Sequence, residues 1–267
     1  MSNAVAAIRS AFLSGASALG DLVLPRACAA CEAPDVAAGR LCQPCNIRLL
    51  SLVALSYCPR CGTTIGPNIP VRPDGCPGCP DTLPRFARVF RLGPYSDPLR
   101  TVIRELKYRR RDTMRRRLGC MLGQLVGAEV QDDQTAPQLV MPAPMHWRRR
   151  LVRGWDHARA LATAVGGELN LPVGNELVRL RNTPQQAKLP RSQRAANMRG
   201  AFAVRRGEGL VGASILLVDD VTTTGATANE AARTLLRAGA ARVTLAVVAK
   251  GEPPTAYAQH VIASGGR

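Results

Sequence analysis

Eight of the nine cysteines fall in four C-x-x-C pairs: Cys28/Cys31, Cys42/Cys45, Cys58/Cys61 and Cys76/Cys79. A C-x-x-C turn aims two sulfurs at one point, and two such turns complete a tetrahedral Zn(Cys)4 site. Ten residues separate the first two pairs and fourteen the last two. Sequential pairing closes the shorter loops and is favoured. The surrounding stretch carries ten prolines between Pro25 and Pro84. It cannot assemble much apolar core, so metal must hold it. Residues 25–84 are therefore expected to form a double zinc ribbon with two structural Zn²⁺ ions, since four thiolates per ion leave no open coordination position.

Disulfides would need an oxidising compartment. Residues 1–24 are Ala-rich, but Arg9, Ser14, Gly15, Ser17 and Asp21 interrupt them. A secretory leader needs an unbroken apolar stretch, so this segment is expected to be an amphipathic helix of a cytoplasmic protein. No apolar run approaches the ~20 residues of a membrane span. A thioredoxin-like redox site would place one C-x-x-C in a βαβ pattern, not four in a Pro-rich run. Cys120 stands alone in a helical pattern and is expected to be a buried, small apolar residue.

The remainder, 85–267, has another character. The 267 residues hold 36 basic and 19 acidic side chains, a net charge of +17. Six basic and five acidic residues lie in 1–84, so nearly all the excess belongs to the second part. Only Lys107, Lys188 and Lys250 are lysines. Arginine forks match phosphates, so a phosphate-rich ligand is expected, against the alternative of a solvated basic surface. With 46% apolar and only 4% aromatic residues, the core must be built from Ala, Val, Leu and Ile.

Strands and helices alternate here. The pattern predicts a strand at 86–92 and a helix over 97–108, entered through Asp97 as N-cap and Pro98 as first helical residue. A helix over about 113–130, a short strand at 138–141 and a helix at 156–168 follow. A strand at 177–180, a polar loop at 182–199 and an extended stretch at 200–204 come next. A buried strand at 215–220, a helix stopped by Gly239, and a strand at 243–249 complete the series. Continuous apolar strands between helices imply an α/β fold with a parallel sheet covered on both faces.

The most informative string runs from Leu216 to Thr227, Leu-Leu-Val-Asp-Asp-Val-Thr-Thr-Thr-Gly-Ala-Thr. A buried strand delivers Asp219 and Asp220 at its C-terminal end, where open α/β sheets bind ligands. The turn Thr222, Thr223, Thr224, Gly225 then opens a helix whose first N–H groups suit a phosphate. Carboxylates for sugar hydroxyls beside donors for a phosphate make a ribose-phosphate grip. Ordinary helix capping accounts for one acid or one Thr, not for the whole string. Gly207–Gly212 spells G-x-G-x-x-G, but it precedes a strand instead of following one, and reads as a turn in a hairpin connection.

The string resembles the signature loop of type I phosphoribosyltransferases. In that family the acids hold the ribose hydroxyls of phosphoribosyl pyrophosphate (PRPP) and the turn holds its 5′-phosphate. The resemblance assigns these catalytic and binding roles to Asp219 and Asp220, and the phosphate to Thr222, Thr223, Thr224, Gly225, Ala226 and Thr227. It also implies Mg²⁺ arriving with PRPP, held mainly by the ligand's own oxygens.

A second constellation runs from Met141 to His157. A strand meets Pro142 and Pro144, and His146 leads into a basic loop with Arg148, Arg149, Arg150 and Arg153 before Gly154 and a helix. With the cysteine-rich module, Asp21–Pro25, Leu106-Lys107-Tyr108, and Gln186, Leu189, Arg194 and Asn197 before Phe202, this resembles the ComF family over almost the entire chain. Trp155, Asp156 and His157 stand where that family has a Phe-Asn-Gln-like helix entry. The family pattern puts this loop at the pyrophosphate side, opposite the grip. His146, His157 and His260 show no metal spacing.

Residues 104–117 gather Arg104, Lys107, Arg109, Arg110, Arg111, Arg115, Arg116 and Arg117 around Tyr108. Residue types alone favour an exposed basic helix end. The ComF resemblance favours single-stranded DNA, making Lys107, Arg109, Arg110 and Arg111, with Arg148, Arg150 and Arg153, the pyrophosphate or DNA candidates. It implies a cytoplasmic protein that binds PRPP or a nucleotide and single-stranded DNA, works in DNA uptake during natural transformation, and meets a competence helicase. The alternative is a PRPP-dependent transferase of nucleotide metabolism with an unnamed acceptor. The expected boundaries are 1–24 for the leading helix, 25–84 for the double zinc ribbon and 85–267 for the phosphoribosyltransferase-like domain.

Overall fold

The computed structural model describes residues 27–37, 39–70, 75–108, 112–130, 135–153, 156–183 and 189–252. The leading helix expected at 1–24 lies outside them.

Four strands form one all-parallel sheet in the order β1-β6-β5-β2, with β1 Val89–Pro94, β2 Leu139–Pro142, β5 Ser214–Thr222 and β6 Arg242–Lys250. Beyond β2, Val173 makes a parallel bridge to Val140. The strands β3, Leu177–Arg179, and β4, Phe202–Val204, pair antiparallel as a separate two-stranded ribbon. The central pair reads as unbroken apolar sequence because both faces are buried. On one face Leu216, Val218, Ala246 and Val248 pack with α2 (Leu99–Tyr108), α3 (Asp112–Glu129) and α5 (His157–Leu169). On the other, Ile215, Leu217, Leu245 and Val247 pack with α7 (Ala226–Arg237) and the ribbon. The inward set expected for α5, Ala158, Leu161, Ala162 and Val165, is buried.

Several local expectations need correction. β1 starts at Val89, not at 86; the Arg60 guanidinium holds the carbonyls of Pro84, Phe86 and Ala87 instead, and Phe86 is buried beneath Gly225. α2 starts at Leu99, so Pro98 precedes the helix. Asp97 still anchors the start, accepting from Thr101 Oγ1 at 2.6 Å. Burial works against the Asp97 carboxylate, but Thr101 and Arg100 hold its pKa below the ordinary value. The basic stretch after His146 is not a loop but a short helix, α4, Trp147–Arg153. The expected polar loop at 182–199 contains a 3₁₀ turn, Arg191–Gln193, and a short helix, α6, Arg194–Met198. Fully buried Met198 is the apolar anchor that organises it. Gly207–Leu210 is a 3₁₀ turn closed by buried Leu210, and it leads into β5 of another sheet, not across a hairpin. Cys120 is only half-buried; burial and then Glu168 raise its thiol pKa.

The cysteine-rich region is docked on the sheet. Its helix α1, Gln43–Val53, places Leu49 and Leu52 in the cluster that holds Leu92, Leu99 and Val218. Gly93 of β1 allows that approach, since a Cβ there would meet Leu99 Cδ1 at 2.8 Å and Leu52 Cβ at 3.1 Å.

Candidate functional site

Cys28, Cys31, Cys42 and Cys45 form one group and Cys58, Cys61, Cys76 and Cys79 another, with the ligand atoms of each within 4.8 Å of one another. Sequential pairing is thus what the fold adopts. Four sulfurs about 2.3 Å from a central ion lie about 3.8 Å apart at tetrahedral angles. The Sγ–Sγ distances are 3.6 Å for Cys31–Cys42, 3.7 Å for Cys58–Cys79 and Cys61–Cys76, and 4.0 Å for Cys76–Cys79. The donor set and its spacing fit zinc. In each group crowding splits the thiols. Burial opposes the Cys28 thiolate, yet N–H groups around it bring its pKa down to about 6, while burial and its neighbours push Cys45 up. The Cys61 thiol, followed by nearby N–H groups, brings Cys58 down to about 4 against burial, and Cys61 rises in turn.

The second group is wired to the far end of the sheet. Thr64 donates from both N and Oγ1 to Glu252 Oε1, at 2.5 and 2.7 Å. Arg91 Nη2 donates to Thr64 Oγ1 at 2.6 Å and lies 3.9 Å from the same carboxylate oxygen. Burial lowers the Arg91 pKa to about 10 despite Glu252. Glu252 follows the last residue of β6 by two positions, beside the turn that leaves β5.

That turn is where the grip string lies. All four strands of the main sheet point the same way, so the loops after β2 and β5 share one edge. Asp219 Oδ1 accepts from the N–H of Asp220 at 2.9 Å, and Asp220 Oδ1 from that of Val221 at 2.7 Å. Each carboxylate is thereby fixed against its own backbone. Asp220 Oδ2 lies 3.2 Å from Nε2 of His157, which is 8% exposed in the first turn of α5. Asp156 caps that helix, accepting from the Arg159 N–H at 3.2 Å. A small cavity beside them is lined by Asp219, Thr227, His157, Ala143 and Pro144, among others. It places the loop after β2 opposite the acidic turn that ends β5.

Gly225 has φ 76° at the start of α7 and brings no side chain to cap it, while Thr224 Oγ1 accepts from the Ala226 N–H at 3.4 Å. Thr223 is held from two sides. Its Oγ1 accepts from Arg194 Nη1 at 2.8 Å, and its carbonyl from Lys250 Nζ. Lys250 is 6% exposed at the end of β6. Sequence reasoning missed Lys250 and the role of His157. The signal for Lys250 was a lone cation ending an apolar strand; nothing local marked His157 as the partner of Asp220.

The basic candidates divide. Arg148 and Arg150 are exposed on α4, and the Arg148 guanidinium sits 5.3 Å from the Trp147 ring centre. His146 is buried, its Nδ1 accepting from the Arg148 N–H at 3.3 Å. The side chains of Arg153, Arg149 and Lys107 lie outside the described residues, as do Arg109, Arg110, Arg111 and His260. Arg115 and Arg117 are not available as a nucleic-acid surface. Arg115 is 2% exposed and donates to the Leu106 carbonyl, and half-buried Arg117 donates to Asn46 Oδ1. Among the described residues no helix is long and apolar enough to cross a membrane.

Residues 155–260 match the family model of the phosphoribosyl transferase domain. The DNA utilization protein YhgH of Escherichia coli K12 is 30% identical over 227 residues, spanning 83% of this chain and 96% of that protein. Competence protein F of Haemophilus influenzae is 28% identical over 208 residues, 76% of this chain and 87% of the relative. Competence protein ComFC of Bacillus subtilis is 33% identical over 103 residues, 39% and 40% of the two chains. With 96% of the Escherichia coli relative spanned, two cysteine groups ahead of a phosphoribosyltransferase-type sheet, and the acidic turn at the end of β5, this chain belongs to the ComF family.

Proposed function

We propose that the protein binds Mg²⁺-PRPP, or a nucleotide with the same ribose 5-phosphate part, and serves the handling of single-stranded DNA during DNA uptake. The observation that carries the ligand reading is the β5–α7 turn. Asp219 and Asp220 stand at the edge where the sheet ends, the start of α7 follows Gly225, and the loop after β2 faces Asp219 across a small cavity. The carboxylates would accept from the ribose 2′ and 3′ hydroxyls, and the N–H groups and hydroxyls of Thr222–Thr227 would donate to the 5′-phosphate. His157 would hold the Asp220 carboxylate in place. Mg²⁺ would enter with the pyrophosphate and neutralise part of its charge.

The DNA reading draws on the relatives' names and on the arginine excess of 85–267. The test is paired. Calorimetric titration should detect Mg²⁺-PRPP binding, and a labelled oligonucleotide should bind with little sequence preference and weaken steeply with salt, with a slope of about −0.7 per phosphate contact. Replacing Arg109, Arg110 and Arg111 by Ala should flatten that slope by about two units if all three touch phosphate. An unchanged slope would return this cluster to a solvated surface. The second reading is a PRPP-dependent transferase, in which Asp219 and Asp220 would make the same ribose contacts. Product analysis with a panel of bases decides for it if a base-dependent nucleotide forms.

A further inference from the structure

The small cavity at Asp219 opens into a wider cleft of about 790 Å³ that shares Pro144, Met145, Asp156 and Arg179 with it. Arg150, Arg159, Arg179, Arg205 and Arg206 line the cleft, and Trp147, 54% exposed, stands among them. The acids in the lining are already engaged. Asp156 accepts from the Arg159 N–H, and Glu176 Oε2 accepts from the Asn175 N–H at 2.7 Å. Arg179 is fixed at the inner end, its guanidinium 5.7 Å from the Phe202 ring centre and donating to Thr183. Arg150, Arg159, Arg205 and Arg206 are exposed. The four come from three separate segments: α4, α5 and the turn after β4.

Five arginines lining one concave space, four of them exposed, exceed what a neutral nucleobase can use. They match a ligand with several phosphates spaced along it. An exposed indole beside them offers a face on which a base stacks. Continuity with the Asp219 cavity puts one end of such a ligand next to the grip. We propose that this cleft is the seat of single-stranded nucleic acid, with phosphates on the arginines, a base on Trp147, and one end presented to the ribose-phosphate grip. The strand, not a free base, is then the second ligand of the site. This deepens the reading given above and rests on it for what lies at the strand's end.

The experiment uses the full zinc-loaded chain and a fluorescent single-stranded 12-mer, followed by anisotropy across a salt series. Two variants, Arg150→Gln/Arg159→Gln and Arg205→Gln/Arg206→Asn, remove charge from opposite walls. Asn suits position 206, where φ is 56°. Each should weaken the strand at least tenfold and flatten the salt slope by about 1.4. The melting temperature should stay at the wild-type value in both, and Mg²⁺-PRPP affinity should stay at the wild-type value in Arg205→Gln/Arg206→Asn. Trp147→Ala should weaken binding without changing the slope. Wild-type strand affinity and slope in both charge variants would overturn the proposal, as would competition for the cleft by free bases but not by oligonucleotide. Strand binding that depends on these arginines in a protein with no affinity for Mg²⁺-PRPP would support the cleft and overturn the ribose-grip reading.

Discussion

The two cysteine groups use the same four-sulfur chemistry but are joined to the sheet by opposite means. The first is joined by apolar burial. Ala29, Leu49 and Leu52 belong to the core that covers one face of the sheet, and among the described residues Arg117–Asn46 adds a polar tie from α3 to α1. The second is joined by hydrogen bonds. The Val89 N–H donates to the Pro59 carbonyl at 2.7 Å, Arg60 clamps residues 84–87, and Thr64 bridges Arg91 and Glu252. A metal-held unit with no core of its own can thus lend side chains to a neighbour's core or be fastened by buried polar contacts. The first mode makes metal binding part of the stability of the whole sheet. The second links it to the edge that carries the acidic turn, because Glu252 lies just past the strand whose Lys250 holds the Thr223 carbonyl.

The largest effect should follow from opening the first group. Cys42→Ser/Cys45→Ser releases α1, and with it Leu49 and Leu52, each worth about 2–5 kcal/mol on truncation. Thermal unfolding should show one transition shifted far down, with the α/β sheet lost together with the cysteine module. A sheet that melts at the wild-type temperature after zinc release would make the two regions independent. Leu49→Ala sharpens the point. It should cost about 3 kcal/mol while metal analysis still finds two zinc ions per chain. Zinc loss in that variant would mean that the core holds the metal site and not the reverse.

Thr64→Val tests the polar mode. It removes a hydroxyl that both accepts from Arg91 and donates to Glu252, so destabilisation of about 1–3 kcal/mol is expected from the partners left buried. Zinc content should not change. A neutral outcome would demote the bridge to a passive contact.

The smallest effect serves as a control outside both groups. Glu230 accepts from the Gly200 N–H at 2.7 Å and from Arg233, tying α7 to the segment before β4. Burial works against its carboxylate, but Arg233 and Gly200 hold the pKa below the ordinary value. The stability it supplies is full above the ordinary glutamate pKa of about 4.3 and is lost as pH falls through the lowered folded value. Glu230→Gln should therefore cost about 1 kcal/mol at neutral pH and converge with the wild type in acid. A gap that persists unchanged at low pH would remove the charge from the explanation.

Much of this was legible because the relevant signals are local. The cysteine pairing follows from C-x-x-C spacing, and β5, β6 and α7 follow from unbroken apolar runs and Gly239. The string from Leu216 to Thr227 carries its strand, acids, turn and helix start together. What could not be read depends on contacts distant in sequence. Leu49 and Leu52 look like ordinary residues of a short helix until β1 brings Gly93 against them. Arg115 reads as one more cation in a basic run, although the fold buries it. His157 becomes the neighbour of Asp220 only when β2 and β5 pair and α5 returns over the same edge.

The most direct test of the account concerns the two acids at the end of β5. Calorimetry of Mg²⁺-PRPP against the zinc-loaded wild type and Asp219→Ala/Asp220→Ala compares the grip with and without its hydroxyl acceptors. Each charged hydrogen bond is worth about 1.5–3 kcal/mol, so the double variant should bind at least a hundredfold more weakly. Equal affinity in the two proteins, with the variant folded and holding two zinc ions, would contradict the ribose-phosphate grip.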